Sequence, residues 1–260
     1  MNKIIIIASE LAIITGHNKY QPLQNAINSV LNRSKIKKIH IPKSNIEEGL
    51  INLAKHDLDK IKLELKLDQN SSLKDVETTI RQNVINKSLD KNMTENNSIT
   101  NTQLIIDKMP QLKKSLANNI NQDLRMKRGN IKENQNLNKT EKKFNINIGS
   151  RNTKMYEKIL HTDLEKNYTV YLRGKVDGMN QDCVVETKNR TNRLFNHIPN
   201  YEKIQLNCYM FLTDKERAIH IECYNDTQNS VAYDFDHELW DECSEKIVNF
   251  TDTHIICHIQ

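Results

Sequence analysis

Residues 174–188 read GKVDGMNQDCVVETK, and this stretch decides how the rest of the chain is understood. It continues YTVYLR (168–173), an apolar strand pattern that ends at the acid Asp177. GMNQD then turns the chain, and CVVETK forms a second strand. Side chains alternate faces along a strand, so Val184, Glu186 and Lys188 share one face and Cys183, Val185 and Thr187 the other. An antiparallel return brings Asp177 beside Glu186. Two carboxylates at that separation repel unless a cation lies between them. Mg²⁺ suits such a place, being hard, oxygen-seeking and content with few carboxylates plus waters and a phosphate. The ion would polarise a phosphodiester and acidify a bound water. Lys188, on the same face, is placed to orient or deprotonate that water and to offset charge on phosphorus. Acid-x-Lys is common by itself. On these two strands alone, a surface hairpin with ordinary charged residues stays open beside the metal-site reading.

The context favours the metal site. In PNYEKIQLNCYMFL (199–212), Glu202, Gln205 and Tyr209 fall on one helix stripe at steps of three and four. Ile204, Leu206, Cys208, Phe211 and Leu212 occupy the rest. A polar stripe on an otherwise apolar helix needs partners, which Lys188 and a phosphate backbone would supply. Half-exposed positions are the plainer alternative for Gln205 and Tyr209. Upstream, MKRGNIKE (126–133) presents Glu133 near the start of a helix expected over 130–144. It is a candidate third acid, or else a solvated helix residue. Lys127, Arg128 and Lys132 nearby are candidates to track phosphates.

Composition sets wide bounds. The 260 residues allow one core domain with elaborations or two small domains. A formal charge of +5 permits contact with a polyanion without demanding it. Five cysteines with no CxxC pair give poor support to a disulfide framework or a structural zinc site. The Ile4–Ile7 run is too short for a signal peptide or membrane span, so a soluble, intracellular protein is expected.

Three textures follow one another. Residues 1–65 carry helical spacing (Leu11, Ile14; Ile27, Val30, Leu31; Leu50, Leu53, Leu58, Ile61, Leu65), with Ser9 as an expected N-cap and GHNKYQP as a helix stop. Residues 66–122 are polar with scattered apolar positions, either a helical insertion or a flexible linker. Residues 123–258 read as an α/β core. Its strands are expected at 168–176, 183–188, 218–224 and 230–235, with a helix near 200–212. A last amphipathic helix carries Trp240, Cys243, Ile247 and Phe250 as core packing. The division drawn is 1–122, mainly helical, and 123–260, the core, together one catalytic domain.

The set RGN-x-x-E, GKVDG, VVETK and YEKIQLNCYM, in that order, resembles the PD-(D/E)XK nuclease superfamily, and within it the lambda-exonuclease or YqaJ-type viral recombinase branch. ASELAIITGHNKYQP (8–22) is similar to the opening of that branch. The resemblance covers residues 6–22 and roughly 123–224 and is silent on 23–122. It implies a restriction-endonuclease-like α/β (α+β) core with a central mixed sheet flanked by helices. It also implies one or two Mg²⁺ or Mn²⁺ ions and hydrolysis of DNA phosphodiesters. Carried over, Glu133, Asp177 and Glu186 would bind metal with the Thr187 carbonyl as a further ligand. Lys188 would be the catalytic lysine, and Gln205 and Tyr209 would support it and the substrate. Ser9, Glu10 and Arg128 would shape the DNA-binding surroundings. The activity implied is a 5′–3′ exonuclease on double-stranded DNA with a free end, serving viral recombination or genome processing. A single-strand-annealing or other recombination protein is the implied partner. A homo-oligomer, a place in a host's cytoplasm or nucleus, and no membrane complete that picture. An endonuclease, nickase or resolvase on the same fold, and a non-catalytic DNA-binding module, remain open. A strand-sized pocket lined by Lys and Arg would support a polymer substrate.

Overall fold

Four consecutive isoleucines cannot alternate polar and apolar faces, which suits a strand covered on both sides. In the computed structural model, which describes residues 1–90 and 92–259, they lie in β1 (Asn2–Ile7). β1 runs parallel to β3 (Tyr168–Gly174), whose other edge carries the antiparallel β2 (Tyr156–Asp163). A second sheet has the order β4 (Gly178–Met179), β5 (Cys183–Asn189), β6 (Arg217–Tyr224), β7 (Thr227–Asp234). Only β5 and β6 are parallel there, joined by a crossover through α8 (Asn200–Thr213). The fold is thus mixed α/β with helices flanking mixed sheets, its strands divided between two sheets. The chain passes from one sheet to the other at Val176 and Asp177. β1 and β2 escape the alternation rule. β1 carries four isoleucines in a row, and β2 (YEKILHTD) is an edge strand of half-buried and exposed positions.

Two helical layers sandwich the second sheet. Val184 and Ala218 share a buried cluster with Ile204, Leu206 and Cys208 of α8. Cys183, Val185, Ile221 and Cys223 pack instead with Leu137 of α7 (Pro110–Phe144). α1 (Leu11–Ile14), α2 (Leu23–Arg33) and α9 (His237–Phe250) belong to the same core as β1, β3 and α8. In α9 the expected stripe Trp240, Cys243, Ile247 and Phe250 is buried.

The middle of the chain is a helical module with its own core. It comprises α3 (Asn45–Ile51), α4 (Lys55–Glu64), α5 (Leu73–Ile80), α6 (Glu95–Ile106) and the first half of α7. Ser44, Ser72 and Thr94 cap α3, α5 and α6 through their side chains. Leu112, Leu116, Ile120 and Leu124 recur every fourth residue on α7 and close this core. The helix expected over 130–144 is therefore the far half of a 35-residue rod, and the 122/123 division falls inside it. None of the described helices is long and apolar enough to cross a membrane.

Two glycines flanking Asp177 let neighbouring side chains approach the backbone closely. A Cβ on Gly174 would lie 2.8 Å from Tyr209 Cε1, and one on Gly178 would lie 2.4 Å from Ile148 Cγ2. Gly178→Ala is expected to cost roughly 1–3 kcal/mol through overpacking. The check is a urea titration, in which an unchanged midpoint would mean that Ile148 yields freely.

Candidate active site

The face of the sheet under α8 is unusually charged for a buried surface. On β5 it carries Glu186 and Lys188, with Arg190 just beyond the strand end. On β6 it carries His220 opposite Glu186 and Glu222 opposite Lys188. Lys188 Nζ donates to Glu186 Oε1 at 2.6 Å and to Gln205 Oε1 at 2.9 Å. Gln205 Nε2 donates in turn to the Tyr209 hydroxyl at 2.8 Å. The polar stripe of α8 is thereby satisfied by the lysine. Gln205 and Tyr209 act on Lys188 and each other, and Tyr209 is buried.

Asp177 reaches the same place from the bend between the sheets. Its Oδ2 accepts the Thr187 N–H at 2.8 Å. Thr187 was expected to contribute through its carbonyl; what it visibly does is fix the acid with its N–H. Glu133 arrives from α7 and accepts a hydrogen bond from Asn152 Nδ2 at 3.3 Å.

These acids hold their protons tightly. Burial first, then the charge of Glu133, raises Asp177 to about 6 against the opposing pull of the Thr187 N–H. Burial and the neighbouring Asp177 push Glu186 up to about 7. Burial and Glu186 also raise Glu133. Burial alone would pull Lys188 down, but the charge of Glu186 and its hydrogen bond more than reverse this. Lys188 is consequently a firmly held ammonium, fit to donate and to offset negative charge rather than to deprotonate water.

The donor set suits a hard divalent cation in one decisive respect. Glu186 Oε2 is buried with no hydrogen-bond partner, beside an Asp177 carboxylate close enough to share a proton with it. A buried acceptor left unpaired is costly, and a cation bridging the two acids would satisfy it. The three acids do not, however, form a ready cage. Among the described residues no group of three or more His, Cys, Asp or Glu side chains is gathered tightly enough to hold an ion as it stands. Glu133 lies near enough to the Asp177/Glu186 pair for its charge to raise Asp177, and Asn152 holds it by a hydrogen bond.

Three further expected residues serve elsewhere. Arg128 is 2% exposed, and its guanidinium donates to the Asp90 and Met93 carbonyls and to Glu95. It is spent inside the helical module and cannot reach a phosphate. Glu10 is also buried and forms a two-pronged ion pair with Arg33, at 2.8 and 2.5 Å, that ties β1 to α2. Ser9 is exposed within a 3-10 turn (Ala8–Glu10) where the first helix begins with no side-chain cap, so it is not the N-cap expected.

No protein-family model matches the chain, and no curated protein matches it in sequence. Solved structures similar to it include a phage-related exonuclease from Haemophilus somnus 129PT, 15% identical, with 49% of this chain and 69% of that one covered and a TM-score of 0.39. An alkaline exonuclease from Laribacter hongkongensis is 12% identical over the same shares, with a TM-score of 0.36.

A second charged cluster lies beside the first and was not anticipated. Arg190 forks onto Glu202 at 2.7 and 2.8 Å, donates to Glu222 at 3.0 Å, and lies over the Phe195 ring at 4.0 Å. His220 Nε2 bonds Glu202 at 2.7 Å, and Glu222 accepts the Phe195 and Asn196 N–H groups at 2.9 and 2.6 Å. Burial would raise Glu202, yet the His220 and Arg190 hydrogen bonds outweigh it and bring it to about 2. This cluster clamps α8 and the loop 191–199 onto the sheet, which sets the position of Gln205 above Lys188. The signal was the two-residue step Glu186, Lys188, Arg190, which extends one strand face beyond the lysine.

Proposed function

We propose that the chain is a metal-dependent nuclease that hydrolyses DNA phosphodiesters, with Asp177 and Glu186 holding the metal and Lys188 as the catalytic cation. The observation that carries this reading is the buried, unpartnered Glu186 Oε2, on a carboxylate whose other oxygen accepts from the Lys188 ammonium. A metal held there would polarise the phosphate and lower the pKa of a bound water. The chain's own part is positional and electrostatic. The Thr187 N–H points Asp177 inward, Gln205 and Tyr209 hold Lys188 on the reacting face, and Glu133 offers a further acceptor at the mouth. The Lys188 ammonium offsets the charge that grows on the phosphate oxygens and can hydrogen-bond the attacking oxygen.

Within that reading we infer exonuclease action, 5′–3′ on duplex with a free end, with Mg²⁺ or Mn²⁺ as cofactor and recombination or genome processing as the setting. The sequence motifs support it. The test is end-labelled linear duplex, bearing 5′-phosphate or 5′-hydroxyl, alongside covalently closed circular DNA, each with Mg²⁺ or EDTA. Release of 5′ nucleotides from linear DNA only is expected. Cutting of the closed circle would make it an endonuclease. Tight binding without Mg²⁺-dependent cleavage would make it a binding module.

Asp177→Asn separates the chemistry from the fold. Asparagine keeps an acceptor for the Thr187 N–H and removes one of the crowded charges. A carboxyl raised in the fold favours folding below its ordinary pKa and loses that contribution as pH rises through the folded value, here about 6 for Asp177. At about pH 8 in EDTA, Asp177→Asn is therefore expected to raise Tm by roughly 2–6 °C while cleavage falls at least about 100-fold. A lower Tm with retained cleavage would overturn the assignment.

A further inference from the structure

A cleft of about 830 Å³ opens between the start of α2 and the helical module, walled by α3 and the middle of α7. Six of its fourteen lining residues are uncharged amides, among them Asn25, Asn52, Asn119 and Gln122, where a lysine- and arginine-lined channel was expected. Arg125 on α7 is its cation, and Glu48 on α3 is its acid. Such a surface is poorly matched to a run of phosphates, which lysine and arginine neutralise. It is well matched to nucleobase edges, because a side-chain amide presents a donor and an acceptor together, as a base edge does.

At the rim stands Tyr20, with 88% of its surface exposed. An aromatic ring left in water at the mouth of a polar cleft is a stacking face for an unpaired base.

We propose that this cleft binds the bases of a single-stranded DNA segment, with Tyr20 stacking one of them. The proposal rests on the nuclease reading and gives residues 45–126 a task, that of holding a separated strand by its bases rather than its backbone. A volume of this size holds about one or two nucleotides, so only a short frayed end is gripped.

The test is binding of fluorescent oligonucleotides to the full chain in EDTA. Three probes are compared: a single strand, the same backbone with abasic sites throughout, and the blunt duplex. The base-bearing strand is expected to bind more tightly than the abasic one, and Tyr20→Ala to weaken it by roughly tenfold without changing abasic or duplex binding. Tyr20 packs on nothing that its exposure would disturb, and Gln122→Ala, also at an exposed position, should act in the same direction. Equal affinity for base-bearing and abasic strands, or no effect of either variant, overturns the cleft assignment. Mg²⁺-dependent cleavage is measured on the same preparations. A failed cleft with intact cleavage leaves the nuclease reading standing, whereas base-dependent binding without cleavage removes the nuclease and leaves the cleft.

Discussion

Lys188→Met is expected to lower Mg²⁺-dependent hydrolysis of linear duplex by roughly 10²–10³-fold, the cost of removing one charge aimed at a developing oxyanion. Methionine matches the lysine stem in length and flexibility, so the apolar packing survives and the ammonium alone is lost. That ammonium is the group through which Glu186, Gln205 and Tyr209 form one connected chain. Without it, Gln205 and Tyr209 have nothing to position, so Gln205→Ala should act through the same residue with a smaller effect. Single-turnover cleavage with enzyme in excess reads the chemical step, and a circular dichroism melt checks the fold. In EDTA the variant should melt lower, because Glu186 loses the ammonium that pairs with it. Mg²⁺ should restore much of that difference, since an ion between Asp177 and Glu186 replaces the lost charge. Equal degradation by wild type and Lys188→Met would falsify the catalytic role.

Arg190→Ala is expected to destabilise the protein by roughly 3–5 kcal/mol, the usual penalty for breaking a buried ion cluster from one side. Glu202 and Glu222 would be left 4% and 2% exposed with no guanidinium between them. Arg190→Lys should rescue little, because an ammonium cannot fork onto Glu202 while donating to Glu222. The pH dependence has a definite sign. Glu202 is held at about 2, below its ordinary value. Its stabilisation is complete above the ordinary carboxylate pKa and is lost as pH falls toward 2. Wild-type Tm should therefore fall steeply from about pH 5 downward, and the Arg190→Ala curve should be flatter there. Superposable Tm curves for the two proteins would show that the cluster is not what clamps α8.

The two charged groupings have opposite energetic characters. In the Arg190 cluster, hydrogen bonds lower a buried acid, so it stabilises the metal-free fold. At Asp177 and Glu186 the same burial raises both acids, so the site costs stability until a cation arrives. Two raised acids beside a firmly fixed cluster on a sheet are what the proposed metal site would require.

Much of this was legible in residue order. Strand alternation placed Glu186 and Lys188 on one face, and helical spacing aligned Gln205 with Tyr209, because both follow from local backbone geometry. The strands 168–176, 183–188, 218–224 and 230–235 and the last two helices were readable for the same reason. Features that depend on distant residues were not. A charged side chain's partner is set by whatever folds against it, so Arg128 and Glu10 looked like site residues and turned out to be tied to Glu95 and Arg33. The four-isoleucine run of β1 carries no alternation to read, and the edge strand β2 shows it only faintly. Residues 66–122 left helix and linker undecided, since their apolar positions make sense only once α7 runs through to cover them. GKVDGMNQDCVVETK by itself determined that an acid, a turn and an acid-x-lysine strand lie together. Only the tertiary structure decided which lysine contacts are made, which glutamate oxygen is left without a partner, and that Asn152 holds Glu133, because these contacts form between chain segments that the sequence keeps far from one another.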